Sequence, residues 1–135
     1  MMNDTLREVL RLSGDGYCCS QIMVLMGLDA IGDENPELLE SVAGLCGGLH
    51  SGLLCGILTG AACLLSMIDR INAKAVMIPK LTAWFKEQYE PCYGGISCVE
   101  IIEDNPGNRM DRCPRMMAET YEKCRELLAE FGHAI

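Results

Sequence analysis

The chain has 135 residues, a formal net charge of −8, nine cysteines and nine methionines. This length suits one compact domain with a sizeable core, and we expect a single domain over residues 1–135. The excess of acidic side chains would repel a phosphate backbone, which argues against nucleic-acid binding.

The first predicted helix begins at Asn3 or Asp4, and its acidic start contains no apolar run of the kind found in a signal peptide. We therefore expect a cytoplasmic protein, in which cysteines more often bind metals or do redox chemistry than form structural disulfides. No Asp, Glu, Lys or Arg occurs from Ser41 to Ile68, a span long enough to cross a bilayer. Gly47, Gly48 and His50 interrupt it, so a membrane span is disfavoured.

The spacing of apolar residues predicts helices along the whole chain and no strand, which indicates an all-α bundle of about six or seven helices. Capping residues and prolines set the expected bounds. In chain order, the predicted helices run from Asn3 or Asp4 to about Gly14, from the Tyr17–Ser20 region to Leu28, from Pro36 to Gly47, from Ser51 to Ile68, from Asn72 to Tyr89 with Pro79 as a candidate kink, from Ser97 to before Pro106, and from Pro114 to Phe131.

Glycines recur at every fourth position from 44 to 60. A ladder of this kind is found where two helices approach closely. Because a glycine has no β-carbon, we interpret Gly52, Gly56 and Gly60 as positions where another segment closes on the helix that contains Cys55. Met23, Met26 and Met67 are interpreted as core residues.

The cysteines do not follow the common motifs. The chain contains no Cys-x-x-Cys, no Gly-x-Gly-x-x-Gly and no P-loop, and its only histidines are His50 and His133. Thioredoxin-like sites, zinc ribbons, evident nucleotide sites and His-dependent hydrolases therefore lack their signatures.

Four cysteines share a position instead: each is predicted to lie in the first turn of a helix or just before one. The partial positive charge and free N–H groups of a helix start favour the thiolate, the form that attacks disulfides and binds metals. Arg112 and Arg115 flank one of the four and should strengthen the effect. We call this set the quartet; its members are Cys19, Cys55, Cys98 and Cys113.

The other five cysteines fit this pattern less well. Cys63 lies among apolar residues, Cys46 and Cys124 lie late in their predicted helices, and Cys92 falls in a predicted loop over residues 90–96. Cys18 adjoins the quartet and is a candidate resolving thiol. The sequence assigns no disulfide pairing to any of them.

The quartet positions resemble those of the C-GCAxxG-C-C family of redox-active proteins. The first family cysteine corresponds to Cys19, the central motif to Cys55-Gly56-Ile57-Leu58-Thr59-Gly60, the third cysteine to Cys98 and the fourth to Cys113. The resemblance extends over about residues 5 to 130 and departs from the motif at Ile57, where the family has alanine. It implies an all-α fold and a redox role for the quartet.

Three functions remain open from the sequence. The first is a thiol oxidoreductase or electron-transfer protein in which quartet cysteines exchange disulfides with a redox partner protein or a small oxidant, without a cofactor. The second is a site in which Cys19, Cys55, Cys98 and Cys113 hold an iron–sulfur cluster or zinc. The third is a structural or partner-binding bundle with incidental cysteines. A homo-oligomer is compatible with each.

Overall fold

The computed structural model describes residues 2–135 and confirms the all-α fold: within this range there are seven α-helices of five or more residues and no strand. Helix α2 packs against α4, and the long C-terminal helix α7 packs against α1 and α4. The helices are α1 (Met2–Gly14), α2 (Cys19–Ile31), α3 (Pro36–Ser41), α4 (Gly56–Ile68), α5 (Ile78–Tyr93), α6 (Cys98–Ile102) and α7 (Pro106–Ala129).

The predicted capping residues start several of these helices. The Asn35 side chain accepts a hydrogen bond from the backbone N–H of Leu38 and opens α3. Ser97 and Glu100 form a capping box at the start of α6, in which each side chain accepts a hydrogen bond from the backbone N–H of the other residue. Local sequence therefore determines where these two helices begin.

The helix predicted to begin at Ser51 begins five residues later, at Gly56. The preceding segment turns with a left-handed backbone at Gly47, Gly48, Leu49 and His50. Residues with a β-carbon rarely adopt this conformation, so the Leu49 and His50 positions depend on the surrounding structure. The glycine ladder is thus divided, and only Gly56 and Gly60 lie on one helix.

Two further predicted boundaries were wrong. The last helix begins at Pro106 rather than Pro114, because Asn105 caps it by accepting a hydrogen bond from the N–H of Gly107. Helix α5 continues to Tyr93, through part of the predicted loop, and ends at Gly94 in a left-handed conformation. The helix predicted to run from Asn72 also differs, because a π-helical segment forms over Ala73–Met77 and α5 begins directly after it at Ile78.

The core is formed by apolar side chains of α1, α2, α4, α5 and α7, including the fully buried Met23, Leu64 and Phe85. Met26 is also buried and Met67 packs at the edge of a smaller cluster, in agreement with their predicted core roles. Over the described residues, no helix has the length and apolar character that crossing a membrane would require.

Candidate functional site

Four segments that are distant in the chain line one cavity of about 260 Å³. Ile57 and Ile101 form part of its apolar wall, and both are almost completely buried. The cavity, here called the thiol cavity, is lined by all four quartet residues, Cys19, Cys55, Cys98 and Cys113. None of these four is in a disulfide.

A short antiparallel bridge sets Cys55 and Cys98 beside each other. It pairs Leu54 with Ser97, and its hydrogen bonds run from the Cys55 N–H to the Ile96 carbonyl (3.1 Å) and from the Cys98 N–H to the Leu53 carbonyl (2.6 Å). Cys55 is the residue immediately before α4, and Cys98 is the first residue of α6. The bridge thus aligns two helix starts, which agrees with the predicted positions of both cysteines.

Close packing of α2 on α4 brings in Cys19, the first residue of α2. The buried hydroxyl of Ser20 donates a hydrogen bond to the Gly56 carbonyl over 3.0 Å. A β-carbon at Gly60 would lie 2.8 Å from the Cα of Ser20, so a glycine is required there for the helices to approach this closely. The predicted packing role of the glycines holds for Gly56 and Gly60.

Cys113 reaches the thiol cavity in a way the sequence analysis did not predict. It lies in the interior of α7, seven residues after the first residue Pro106, and not at a helix start.

 Arg109 and Arg112, on the same face of α7, lower the pKa of Cys113, whereas Arg115, which was expected to strengthen this effect, is not among the groups that do so. Arg112 also donates hydrogen bonds to the Ile101 carbonyl (2.6 Å) and to Glu103 (2.9 Å), which ties α7 to α6. All three arginines lie on α7.

The expectation that helix starts keep the quartet as thiolates is corrected for three of its members. Burial raises the pKa of the Cys19 thiol, raises the pKa of Cys55 far above its usual value, and raises the pKa of Cys113 to about 11. The backbone of Ile57 and Leu58 at the start of α4 does lower the pKa of Cys55, but the loss of hydration is the larger effect. These three thiols are therefore protonated near neutral pH.

Two cysteines outside the quartet form a disulfide, Cys18–Cys46, with a Cα–Cα distance of 6.1 Å. Cys18 precedes α2 and lines the thiol cavity; Cys46 follows a short 3₁₀ segment at Val42–Leu45 and is buried. Both also line a neighbouring, more open cleft of about 480 Å³, which we call the outer cleft. The role of Cys18 as a resolving thiol stays a prediction.

The remaining three cysteines lie outside the thiol cavity. Cys124 is completely buried in α7, Cys63 is half-buried in α4, and Cys92 is exposed near the end of α5 rather than in a loop. Among residues 2–135, no group of three or more Cys, His, Asp or Glu side chains is arranged to hold a metal ion. A metal held by the quartet would require its four side chains to move closer together.

The partner of Cys18 is not evident from the sequence. The predicted place of Cys46 late in a helix, where the helix dipole disfavours a thiolate, argues against a redox role for it. The Gly47-Gly48 pair that follows it was a usable signal, since two glycines permit the left-handed turn that ends the segment at Cys46. The pairing itself depends on the contact between α2 and residues 42–45.

The chain was compared with known proteins. A family model described as "Putative redox-active protein (C-GCAxxG-C-C)" matches residues 17–127. No curated protein and no solved structure gives a significant match. The matched range contains the whole quartet and most of the chain, and the fold and the family agree with the resemblance seen in the sequence. The chain therefore belongs to the C-GCAxxG-C-C family of redox-active proteins.

Proposed function

We propose that this protein is a thiol-based redox protein and that Cys19, Cys55, Cys98 and Cys113 are its reactive groups. The observation that carries the proposal is the thiol cavity, which is lined by cysteines from four separate segments. Membership of a redox-active family supports the same conclusion. The cytoplasm suits this chemistry, because its reducing conditions would return the quartet to the thiol state.

The reaction is a thiol–disulfide exchange with a disulfide substrate. One quartet thiol loses its proton and attacks a substrate sulfur, and the substrate's other sulfur leaves as a thiolate that takes up a proton. A second quartet thiol then attacks the mixed disulfide, so that the protein gains one disulfide and the substrate gains two thiols. Two electrons pass from the protein to the substrate, and no cofactor is consumed.

The raised pKa values of three quartet thiols indicate which kind of substrate would react fastest. A protonated, buried thiol reacts slowly with small disulfides in bulk solvent, because the thiolate is the attacking form. A partner that enters the cavity and brings positive charge would promote loss of the proton, as Arg109 and Arg112 already do in part for Cys113. We therefore expect the disulfide of a partner protein to be reduced faster than a small disulfide.

The test uses a Cys18→Ser/Cys46→Ser variant, which retains the quartet without the resident disulfide. The reduced variant is brought to equilibrium in glutathione redox buffers, alkylated and mapped by peptide mass spectrometry. We expect two quartet thiols to be lost together and regained with dithiothreitol. Cys63→Ser and Cys92→Ser in the same background are matched controls and should leave this change intact.

Two results would contradict the proposal. One is a quartet whose thiols all remain available for alkylation at equilibrium in the most oxidising of these buffers. The other is serine replacement of all four quartet residues without effect on redox behaviour, which would favour a structural bundle with incidental cysteines.

A further inference from the structure

The Cys18–Cys46 disulfide lies where a thiol compound in solution can reach it. Cys18 is half-buried and lines both the thiol cavity and the outer cleft, whereas Cys46 is only 4% exposed. Arg109 also lines both spaces and adds a positive charge beside the disulfide. The sulfur of Cys18 is therefore the one that an incoming thiolate would meet.

The disulfide also holds the wall of the thiol cavity. Its two residues are followed directly by Cys19 and Gly47, and the backbone of Gly47 is hydrogen-bonded to the Cys19 sulfur. Gly47 begins the left-handed turn that includes Leu49 (φ 62°) and His50 (φ 53°). A side chain with a β-carbon is strained in this conformation, so the turn has a tendency to relax once its restraint is removed.

We propose that the Cys18–Cys46 disulfide is a second redox site, which exchanges with a dithiol in the outer cleft and, when reduced, releases the cavity wall beside Cys19. The part that concerns Cys19 rests on the proposed function. The exchange at Cys18–Cys46 does not.

The exchange balances as follows. A thiolate of the dithiol attacks the Cys18 sulfur and forms a mixed disulfide, and the Cys46 sulfur leaves and takes up a proton. The second thiol of the dithiol then loses its proton and attacks the dithiol sulfur that is bonded to Cys18. The Cys18 sulfur leaves and takes up a proton. The dithiol becomes a cyclic disulfide, and the protein gains two thiols and two electrons.

A pair of single variants tests which sulfur is accessible. In Cys46→Ser, the Cys18 thiol is free, and treatment with oxidised glutathione should place the adduct on Cys18. In the matched Cys18→Ser variant, Cys46, which is buried in the disulfide-bonded protein, should form the adduct more slowly than Cys18 does in Cys46→Ser. Equal labelling of Cys18 and Cys46, or no adduct on Cys18, would contradict the proposed point of attack.

The second measurement needs no substitution. The folded wild-type protein is titrated with dithiothreitol, and the fraction of Cys18–Cys46 disulfide and the alkylation rate of Cys19 are followed together. We expect full reduction while the helical circular dichroism is retained. Cys19 alkylation at pH 7 should rise severalfold, because the thiolate is the form that is alkylated.

The direction of the expected change in Cys19 alkylation follows from the larger of two opposing effects on the pKa of this thiol. Burial raises the pKa of Cys19 more than its hydrogen bonds lower it, so opening the wall should make the thiolate easier to form. If the disulfide is reduced only when the protein unfolds, it is purely structural and the proposed redox site is contradicted. Reduction without a change in the alkylation rate of Cys19 would contradict the proposed release of the cavity wall. The quartet test uses a chain without this disulfide, so either proposal can fail by itself.

Discussion

A β-carbon at Gly56 would lie 2.7 Å from the sulfur of Cys19, a separation that real side chains do not show. It would also lie 2.7 Å from the Ser20 hydroxyl and 3.0 Å from the Leu45 carbonyl. The glycine thus sets the distance between α2 and α4 at the point where Cys19 meets the thiol cavity.

We predict that Gly56→Ala destabilises the protein by about 1–3 kcal/mol, because one contact in the overpacked site is with a backbone carbonyl that cannot easily move. Denaturant unfolding measures the change. Gly44→Ala is the control, since a β-carbon at Gly44 would meet nothing within 4 Å. Equal stability of Gly56→Ala and wild type would show that the two helices do not need this glycine.

The effect of Arg109 on Cys113 can be measured by alkylation. Arg109 lowers the pKa of Cys113, although burial and the neighbouring Cys19 raise it more. Arg109→Gln should therefore slow Cys113 alkylation at pH 9 by about threefold, equivalent to half a pKa unit, and the difference should shrink in high salt. Arg115→Gln is the matched control because Arg115 is exposed and is not among the groups that act on Cys113. An equal slowing in both variants would assign the effect to overall charge.

Burial of Cys124 predicts a loss of stability in alkali. Burial raises the pKa of its thiol in the folded protein to about 12. When the pH rises above the pKa that this thiol has in the unfolded chain, the unfolded chain therefore loses the proton before the folded protein does. The stabilisation is complete below that value and declines as the pH rises, by about 1.4 kcal/mol per pH unit for one such group.

The measurement compares wild type with Cys124→Ala in dithiothreitol from pH 8 to 10.5. We expect the free energy of unfolding of the variant to fall less steeply, while buried tyrosines contribute to both proteins alike. Parallel curves would mean that Cys124 ionises in the folded protein as readily as in the unfolded chain.

The metal hypothesis has its own prediction. A zinc or iron–sulfur site needs sulfur atoms about 2.3 Å from the metal, and the part of the chain that the structure describes has no group of side chains so arranged. We expect anaerobically purified protein to be colourless, and added zinc to leave the melting temperature of the reduced protein unchanged. Stoichiometric metal, or a visible absorption band that is lost in Cys113→Ser, would contradict this expectation.

The sequence by itself determined the helical fold, the helix starts at α3 and α6, and the cysteines to consider. These features depend on local chemistry: the spacing of apolar residues, a capping asparagine and a Ser-x-x-Glu box act within a few residues of each other. Cys19 and Cys98 lie at helix starts as predicted for the same reason, whereas Cys55 precedes a helix that begins later than the sequence indicates.

Only the tertiary structure decided how these parts combine. Cys113 lines the cavity from the interior of α7, and Cys46 reaches Cys18 because residues 42–45 pack on α2. The protonation of the thiols was also decided there, since burial depends on every element around a sulfur whereas the helix dipole acts only at one end of one helix. Desolvation is the larger of the two effects at Cys55, which the sequence pattern could not reveal.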